Sequence, residues 1–294
     1  MAKRLKDEFD SKWILRNSLE IIPQFEDGVL TIRGLHYKLV GRGMTNSMLH
    51  YKRVVTTMIR ARRDSLVSYF AFSDHDRAVD GITEYDKTNV NDSIEQYSGY
   101  IRYYMNNYNK NRWENQDYYP EIWIEKKAQL GVFKPICEKF DVALAACKGY
   151  PSLTFLNDAA TRFQNAADEG YEPIILYFGD YDPSGEDIPR SIKDNLYKDF
   201  HVNIEMKRIL LLEHQVIEYN LPPAPTKIGD SRTAGWDGLG QVEMDAIDPK
   251  ETQSLCTDAI KSIMDQDKYD ELLLTEVTEE KEYISRMKKI VNEL

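Results

Sequence analysis

The stretch Ile175-Leu-Tyr-Phe-Gly-Asp180-Tyr-Asp182-Pro183-Ser-Gly185 decides the fold class of this chain. An apolar run that ends abruptly in an Asp-x-Asp pair is typical of a buried strand with carboxylates at its tip. The Pro and Gly that follow mark the end of the strand. Two carboxylates at a strand tip are suited to hold a divalent cation, whereas an isolated Asp-x-Asp is more often a turn cap.

Strands and helices alternate around this stretch. The strand-like runs are Glu121–Glu125, Val142–Cys147, Pro173–Asp180 and Asn203–Leu212, and helical runs lie between them at 127–140, 152–169 and 186–199. This alternation predicts an α/β fold with a parallel sheet of about four strands flanked by helices. Sites in such sheets form at the carboxyl ends of the strands. Glu125, Asp180 and Asp182 all fall there, so we expect them to converge.

The three carboxylates also indicate the kind of cation. No His or Cys accompanies them, and oxygen ligands favour a hard ion, so the sequence predicts Mg²⁺, with Mn²⁺ able to substitute. Such an ion neutralises charge that builds on a phosphoryl group. The predicted chemistry therefore acts on phosphodiesters.

Length and composition bound the class of protein. The chain has 294 residues, 42% of them hydrophobic, which is enough for two domains and a helical tail. It has no apolar run of the roughly 20 residues that cross a bilayer, and we expect neither a signal peptide nor a membrane partner. Cys137, Cys147 and Cys256 have no paired spacing. This usage predicts a reducing, cytoplasmic setting.

The first 80 residues resemble a DNA-binding unit in outline. Thr31 is suited to cap a helix that runs to Arg42, with Gly43 as a left-handed stop. A second helix is predicted over 47–63, and Leu66–Phe72 alternates as a strand does. Two helices joined by a turn and followed by strands outline a winged helix-turn-helix. A small basic three-helix unit is the alternative.

Charge is spread unevenly along the chain. Residues 1–80 hold 14 Lys and Arg against 10 Asp and Glu, a balance of +4. Since the whole chain has a net charge of −11, residues 81–294 carry −15. Six basic residues are candidates for contacts with the phosphates of double-stranded DNA: Lys52, Arg53, Arg60, Arg62, Arg63 and Lys148. For Lys148 the alternative is a solvated loop lysine.

The remaining segments are predicted to be mainly helical. In the Tyr-rich connector at 81–119, an aromatic stripe at helical spacing is formed by Tyr97, Tyr100, Ile101, Tyr104 and Tyr108. Such a stripe could stack bases, but we interpret it as the buried face of a helix. Asp248-Pro-Lys-Glu251 is a helix start, and a charged helix is predicted over 268–294. The predicted domains are 1–80, 81–119, 120–215 and a helical extension at 216–294.

Three motifs resemble those of a known domain. Trp123-Ile-Glu125-Lys-Lys-Ala, Lys148-Gly-Tyr-Pro151 and Gly179-Asp180-Tyr-Asp182-Pro-Ser-Gly185 are similar to successive motifs of the Toprim (topoisomerase–primase) domain. The version is that of the DNA topoisomerase VI A subunit and its relative, the meiotic double-strand-break transesterase. The resemblance covers 120–215 well and 28–66 weakly. At this length the chain looks like a short stand-alone A-like member.

The resemblance implies a tyrosine nucleophile. Arg33-Gly-Leu35-His-Tyr37 matches the family pattern at Arg, Leu and Tyr, while Gly34 replaces an acidic residue and His36 an aromatic one. Tyr37 would attack DNA and become linked to the 5′-phosphate. Arg33, one helical turn earlier, would bind that phosphate or favour the phenolate. The alternative for Tyr37 is a core tyrosine.

The family also implies partners. A homodimer is expected, in which the tyrosine of one protomer meets the metal site of the other. Any ATP-dependent step would require a separate ATPase B subunit, and a nucleoid-associated setting follows from a DNA substrate. Two rival hypotheses remain: a Toprim nuclease in which water attacks, and a DNA-binding module without catalysis.

Overall fold

The computed structural model describes residues 8–26, 29–68, 71–72, 89–224, 236 and 238–293. Its contacts divide the chain into two compact units. The larger unit comprises residues 1–77 and 119–262, and the smaller comprises residues 78–118 and 263–294.

A four-stranded sheet forms the centre of the larger unit. Its strands are β1 (Tyr118–Ile124), β2 (Ala143–Ala146), β3 (Glu172–Phe178) and β4 (Glu205–Leu210), in the order β2-β1-β3-β4. β1 runs parallel to β2, and β3 runs parallel to β4. The last five residues of both central strands are buried, as expected for strands covered on both faces. The predicted α/β fold class is therefore confirmed.

Three helices cover the two faces of the sheet: α5 (Leu130–Phe140), α6 (Leu153–Asp168) and α7 (Pro183–Phe200). Tyr177 shares one core with side chains of α6 and α7. Phe178 instead packs against Phe133 of α5, with 4.8 Å between the ring centres. Successive strand residues point to opposite faces, so α5 lies on one face of the sheet and α6 and α7 on the other.

The N-terminal part of the larger unit consists of α1 (Ser11–Ile21), α2 (Ile32–Gly41) and α3 (Met48–Arg63). The helices α2 and α3 begin where the sequence predicts, because the side chains of Thr31 and Ser47 accept hydrogen bonds from the first-turn amides. Gly43 follows α2 with a left-handed φ of +100°. The helices share a core that includes Ile14, Leu35 and Met58.

The predicted strand at Leu66–Phe72 is wrong for the described residues of that range, 66–68 and 71–72. The amide of Val67 donates to Ala61 O at 3.3 Å, so the chain turns back over the end of α3. Val67, Ala71 and Phe72 are buried against the three helices. The apolar residues of this segment therefore pack against helices and do not form one face of a strand. Over 8–26, 29–68 and 71–72 the structure shows a three-helix unit without the strand pair of a wing.

Two further helices complete the larger unit. They are α8 (Glu213–Glu218) and α9 (Pro249–Lys261), and a 3₁₀ turn at Met244–Ala246 precedes α9. Asp248 caps α9 by accepting from the Lys250 amide, and Pro249 is the first helical residue, as predicted.

The smaller unit contains α4 (Val90–Met105) and the long C-terminal helix α10 (Gln266–Glu293), which confirms the predicted helical tail. The predicted buried face of α4 is wrong, because no residue of α4 is buried. α10 meets the C-terminal end of α4, where Tyr283 donates to Tyr104 O at 3.0 Å. No helix within the described ranges combines the length and apolar character that a bilayer crossing requires.

Candidate active site

The carboxyl ends of the central strands bring Glu125 and Asp180 together. Glu125 follows β1, and its amide donates to Phe178 O of β3 at 2.9 Å. The Asp180 amide in turn donates to Glu125 Oε2 at 2.9 Å. In the strand order β2-β1-β3-β4, the chain continues from β1 to one side of the sheet and from β3 to the other. The point between β1 and β3 is therefore a topological switch point, where open α/β sheets form a ligand-binding crevice. The predicted convergence of these two residues is confirmed.

Asp182 behaves differently from Asp180. Its Oδ1 accepts from the Gly185 amide at 2.6 Å, so it is the N-cap of α7. Its charge still contributes to raising the pKa of Glu125. Among the described residues, no group of three or more His, Cys, Asp or Glu side chains is arranged to hold one metal ion. The third predicted ligand is thus nearby, but its side chain serves as a helix cap.

A second acidic pair, Glu243 and Asp245, reaches this crevice. Lys126 Nζ lies 2.6 Å from Asp180 Oδ2, 3.3 Å from Glu243 Oε2 and 3.7 Å from Asp245 Oδ2. Asp180 is also held by the Met244 amide, which donates to its Oδ1 at 2.8 Å. We call Lys126, Asp180, Glu243 and Asp245 the lysine cluster. Its one ammonium contacts three carboxylates, two of them buried.

Sequence reasoning missed Glu243 and Asp245. The segment that carries them is attached through a two-bond antiparallel bridge between Tyr181 and Val242, with N–O distances of 2.9 Å. A single bridge leaves no strand-length pattern. One signal in the sequence could have identified them. Glu243 and Asp245 form a second pair of acidic residues one position apart, and they alternate with the apolar residues Val242 and Met244.

Arg208 of β4 fixes the loop between β3 and α7. Its guanidinium donates to the backbone oxygens of Gly185 at 2.5 Å, Asp180 at 2.7 Å and Leu211 at 3.0 Å. Only 11% of its side chain is exposed. A buried charged donor that satisfies three carbonyl groups holds the loop in one conformation. Arg208 was not predicted as a site residue.

Two glycines leave room around Glu125. A β-carbon at Gly179 would lie 2.9 Å from Glu125 Oε2 and 2.8 Å from the Tyr177 hydroxyl, and one at Gly185 would lie 3.3 Å from Glu125 Oε2. The Tyr177 hydroxyl is buried and has no hydrogen-bond partner among the described residues. Buried polar groups are rarely unpaired. A polar cradle with an unpaired donor therefore adjoins the Glu125 carboxylate.

The electrostatics of the crevice follow from burial of like charges. Burial and the neighbouring charge of Asp180 raise the pKa of Glu125 to about 7. Burial also raises the pKa of Asp180, against the opposing effects of the Lys126 ammonium and the Met244 amide. For Lys126, burial lowers the pKa, but the surrounding carboxylates outweigh it and the net shift is upward. Lys126 is therefore charged at neutral pH.

Helix α2 faces the same cluster. Arg33 Nε lies 3.2 Å from Glu243 Oε2, and Arg33 Cζ lies 3.8 Å above the Tyr51 ring centre. Thr31 Oγ1 donates to Asp245 Oδ1 at 2.5 Å. At Gly34, a β-carbon would lie 3.8 Å from Asp245 O, an ordinary packing distance, so α2 lies against this turn. These contacts join α2 to the acidic pair.

Tyr37 lies within electrostatic reach of the lysine cluster. Burial and the charges of Glu243 and Asp245 raise its pKa, while Arg33 and Lys126 act in the opposite direction. The side chain is largely buried. No hydrogen bond joins its hydroxyl to another residue within the described ranges. The hydroxyl is thus uncommitted and protonated at neutral pH.

The predicted DNA-contacting residues fall into two groups. Lys52, Arg60 and Arg63 are exposed, and their spacing places them on one face of α3. Arg53 donates to Phe9 O at 2.7 Å, and Arg62 lies 5.4 Å above the Phe72 ring centre. The first group is open to a ligand, whereas the second contributes to the three-helix unit.

Lys148 lies in the loop after β2, beside the candidate site. It is exposed and has a left-handed φ of +54°. The next residue, Gly149, donates its amide to Glu125 O at 3.4 Å. The Lys148 ammonium is therefore carried by a loop that contacts the backbone of a candidate metal ligand.

No protein-family model and no curated protein matches this chain.

Proposed function

We propose that this protein is a metal-dependent, DNA-cleaving transesterase in which Tyr37 is the nucleophile. One observation carries the proposal: Glu243 pairs with Arg33 of α2 and also with Lys126, which pairs with Asp180 at the end of β3. The helix α2, which carries Tyr37, and the end of β3, which carries Asp180, are thereby joined in the larger unit of the chain.

The resemblance to the topoisomerase VI A subunit supports this proposal through motifs, and the parallel sheet agrees with a Toprim domain. The family pairs the tyrosine of one protomer with the metal site of another. Here Asp180 belongs to the lysine cluster, and the charges of that cluster act on Tyr37 of the same chain. We therefore propose a nucleophile and a metal site in cis, with a homodimer supplying a second copy for the opposite DNA strand.

The chemistry of the donors agrees with the implied cation. Glu125, Asp180 and Asp182 supply only oxygen atoms, and the pKa of Glu125 is raised first by burial and then by the charges of Asp180 and Asp182, both of which a cation would offset. The unpaired Tyr177 hydroxyl beside Glu125 adds a polar group without a protein partner. Glu125 and Asp180, which converge, would hold Mg²⁺ or Mn²⁺ together with waters and substrate phosphate, while Asp182, the N-cap of α7, would act through its charge. The ion when bound neutralises charge on a phosphoryl group.

The chain's own residues would carry the reaction as follows. The Tyr37 oxygen attacks phosphorus as its proton passes to water, and a phosphotyrosyl bond to the 5′-phosphate forms. The bond from phosphorus to the 3′-oxygen breaks, and this oxygen leaves as a hydroxyl by taking up a proton from water. Arg33 and Lys126 act to lower the pKa of Tyr37, against the larger upward effects of burial and the Glu243 charge. Lys52, Arg60 and Arg63 would bind the DNA backbone.

A second candidate is hydrolysis by water, and one observation favours it. Glu125 has a pKa of about 7, close to the value at which a general base works best near neutral pH. In this scheme Glu125 would take a proton from water, and Tyr37 would only pack.

A cleavage assay separates these candidates. Supercoiled plasmid is incubated with Mg²⁺ or Mn²⁺, stopped with detergent, and analysed with and without protease. The proposal predicts protein-linked ends with the wild type, none with Tyr37→Phe or Asp180→Ala, and normal cleavage with Tyr51→Phe. The last variant keeps the ring beneath Arg33. Cleavage that survives Tyr37→Phe would establish hydrolysis, and no cleavage by the wild type would leave a binding module.

A further inference from the structure

We propose that Lys126 is a built-in counter-cation that a divalent ion must displace from Asp180. The inference rests on the proposed metal site and assigns a regulatory role to a residue of this chain. Lys126 immediately follows Glu125, so two consecutive residues place a carboxylate and an ammonium at the same crevice. Its Nζ lies 2.6 Å from the carboxylate that the ion would bind.

The carboxylates of the cluster need a cation. The side chains of Asp180 and Asp245 are only 7% and 4% exposed, and buried carboxylates without a partner are strongly unfavourable. Arg33 contacts Glu243, and Arg208 is committed to backbone oxygens. Within the described ranges, Lys126 is the basic residue paired with both buried carboxylates.

Lys126 can also leave without breaking the fold around it. Its side chain is 32% exposed, and its backbone lies in an extended conformation just before the 3₁₀ turn at Lys127–Gln129. An ion at Asp180 and an ammonium at the same oxygen would repel each other. Because linkage is reciprocal, the ammonium weakens ion binding as much as the ion weakens the ammonium contact. Ion entry is therefore coupled to release of Lys126.

The coupling gives the site a defined order of events. Without an ion, Lys126 contacts Asp180, Glu243 and Asp245 and offsets part of their negative charge. With an ion at Asp180, the released ammonium would still act by its charge on the Tyr37 hydroxyl, as it does without the ion. A DNA phosphate would then be the anion available to it. Lys126 is thus a positioning residue for the apo site and a phosphate contact in the loaded site.

Calorimetric titration with Mn²⁺ alone, without DNA, tests the displacement. Lys126→Met removes the charge and keeps the length of the side chain, whereas Lys126→Arg keeps the charge. Lys127→Met is the matched control at the next residue. We expect Lys126→Met to bind Mn²⁺ about tenfold more tightly than the wild type, or better, since one competing positive charge is gone. Lys127→Met and Lys126→Arg should bind no more tightly than the wild type.

A second readout is thermal unfolding. Lys126→Met should melt at a lower temperature than the wild type in chelator, and Mn²⁺ should restore more of its stability. If Lys126→Met does not fold, Lys126→Met/Asp245→Asn, which also removes one negative charge, should give the same tightened binding. Equal or weaker Mn²⁺ binding by a folded Lys126 variant would overturn the displacement while leaving the metal site intact. Absence of Mn²⁺ binding by every protein would overturn both proposals.

Discussion

Arg33 and Glu243 form an ion pair of 3.2 Å, and this pair connects the helix that carries Tyr37 to the carboxyl ends of the central strands. Glu243 also accepts from Lys126 at 3.3 Å. One carboxylate thereby orients two cations toward the proposed reaction centre. Glu243 is therefore a positioning residue, whose loss would remove one of the contacts between the helix of Tyr37 and the proposed metal site.

Replacement of Glu243 with Gln should lower the free energy of unfolding by about 1 kcal/mol, because its partners are partly exposed and such pairs are individually weak. Glu20→Gln is the control, since Glu20 pairs with Arg42 at the surface of the three-helix unit. Urea unfolding followed by tryptophan fluorescence measures both. An Arg33→Met background should reduce the effect of Glu243→Gln. Equal effects in both backgrounds would contradict the coupling.

Glu125 should make stability depend on pH. Its folded pKa of about 7 exceeds the ordinary value of 4.5, so the folded chain binds this proton more tightly than the unfolded chain does. Its stabilising contribution is fully present below about pH 4.5 and is lost as the pH rises through about 7. Without metal, Glu125→Gln should remove on the order of 2 kcal/mol of this dependence. Urea unfolding between pH 5 and 8 in chelator measures it; identical pH profiles would contradict the assignment.

Gly185→Ala should be strongly destabilising. Its β-carbon would lie 2.1 Å from Asp180 O, a backbone atom that Arg208 holds in place. We expect a loss of about 3 kcal/mol, in the upper range for overpacking. Gly99→Ala on α4 is the control, because nothing lies within 4 Å of its β-carbon position. That change should stabilise by roughly 0.5–1 kcal/mol, since Ala is the better helix former. Urea unfolding compares the two, and a neutral Gly185→Ala would contradict the close approach.

Arg208→Met should loosen the loop that carries Asp180 and Asp182. Three backbone oxygens would lose a charged donor, at a cost of about 3 kcal/mol. Arg190→Met is the control, because Arg190 pairs with exposed carboxylates along α7. Hydrogen exchange of the Asp180–Gly185 amides should accelerate in Arg208→Met alone. Unchanged exchange would show that the guanidinium does not hold the loop.

The sequence predicts the central site because its signals are local. The apolar runs of β1 and β3 end in carboxylates, and parallel strands bring their carboxyl ends to one edge. Asp182 shows the limit of this reasoning, since the same Asp-Pro-x-Gly pattern that follows a metal-binding strand is also a helix cap. Its side chain bonds Gly185 here. The sequence pattern alone does not decide whether this aspartate binds a metal or caps a helix.

Other features depend on tertiary contacts that leave no periodic pattern. Glu243 reaches the crevice through one bridge to Tyr181. Leu66–Phe72 alternates like a strand, but its buried residues dock onto helices. The tyrosines of α4 have the spacing of a buried face, yet Tyr97 and Tyr100 are at least half exposed. In each case the local pattern is compatible with two environments, and contacts distant in sequence decide between them.

The central claim is tested most directly by identifying the residue that becomes linked to DNA. Wild-type protein is incubated with plasmid and Mn²⁺, denatured, treated with nuclease and trypsin, and analysed by mass spectrometry. We expect a nucleotide attached to Tyr37 in the peptide of residues 34–38, and no adduct with Asp180→Ala. Cleaved DNA without any adduct, or an adduct on another tyrosine, would contradict it.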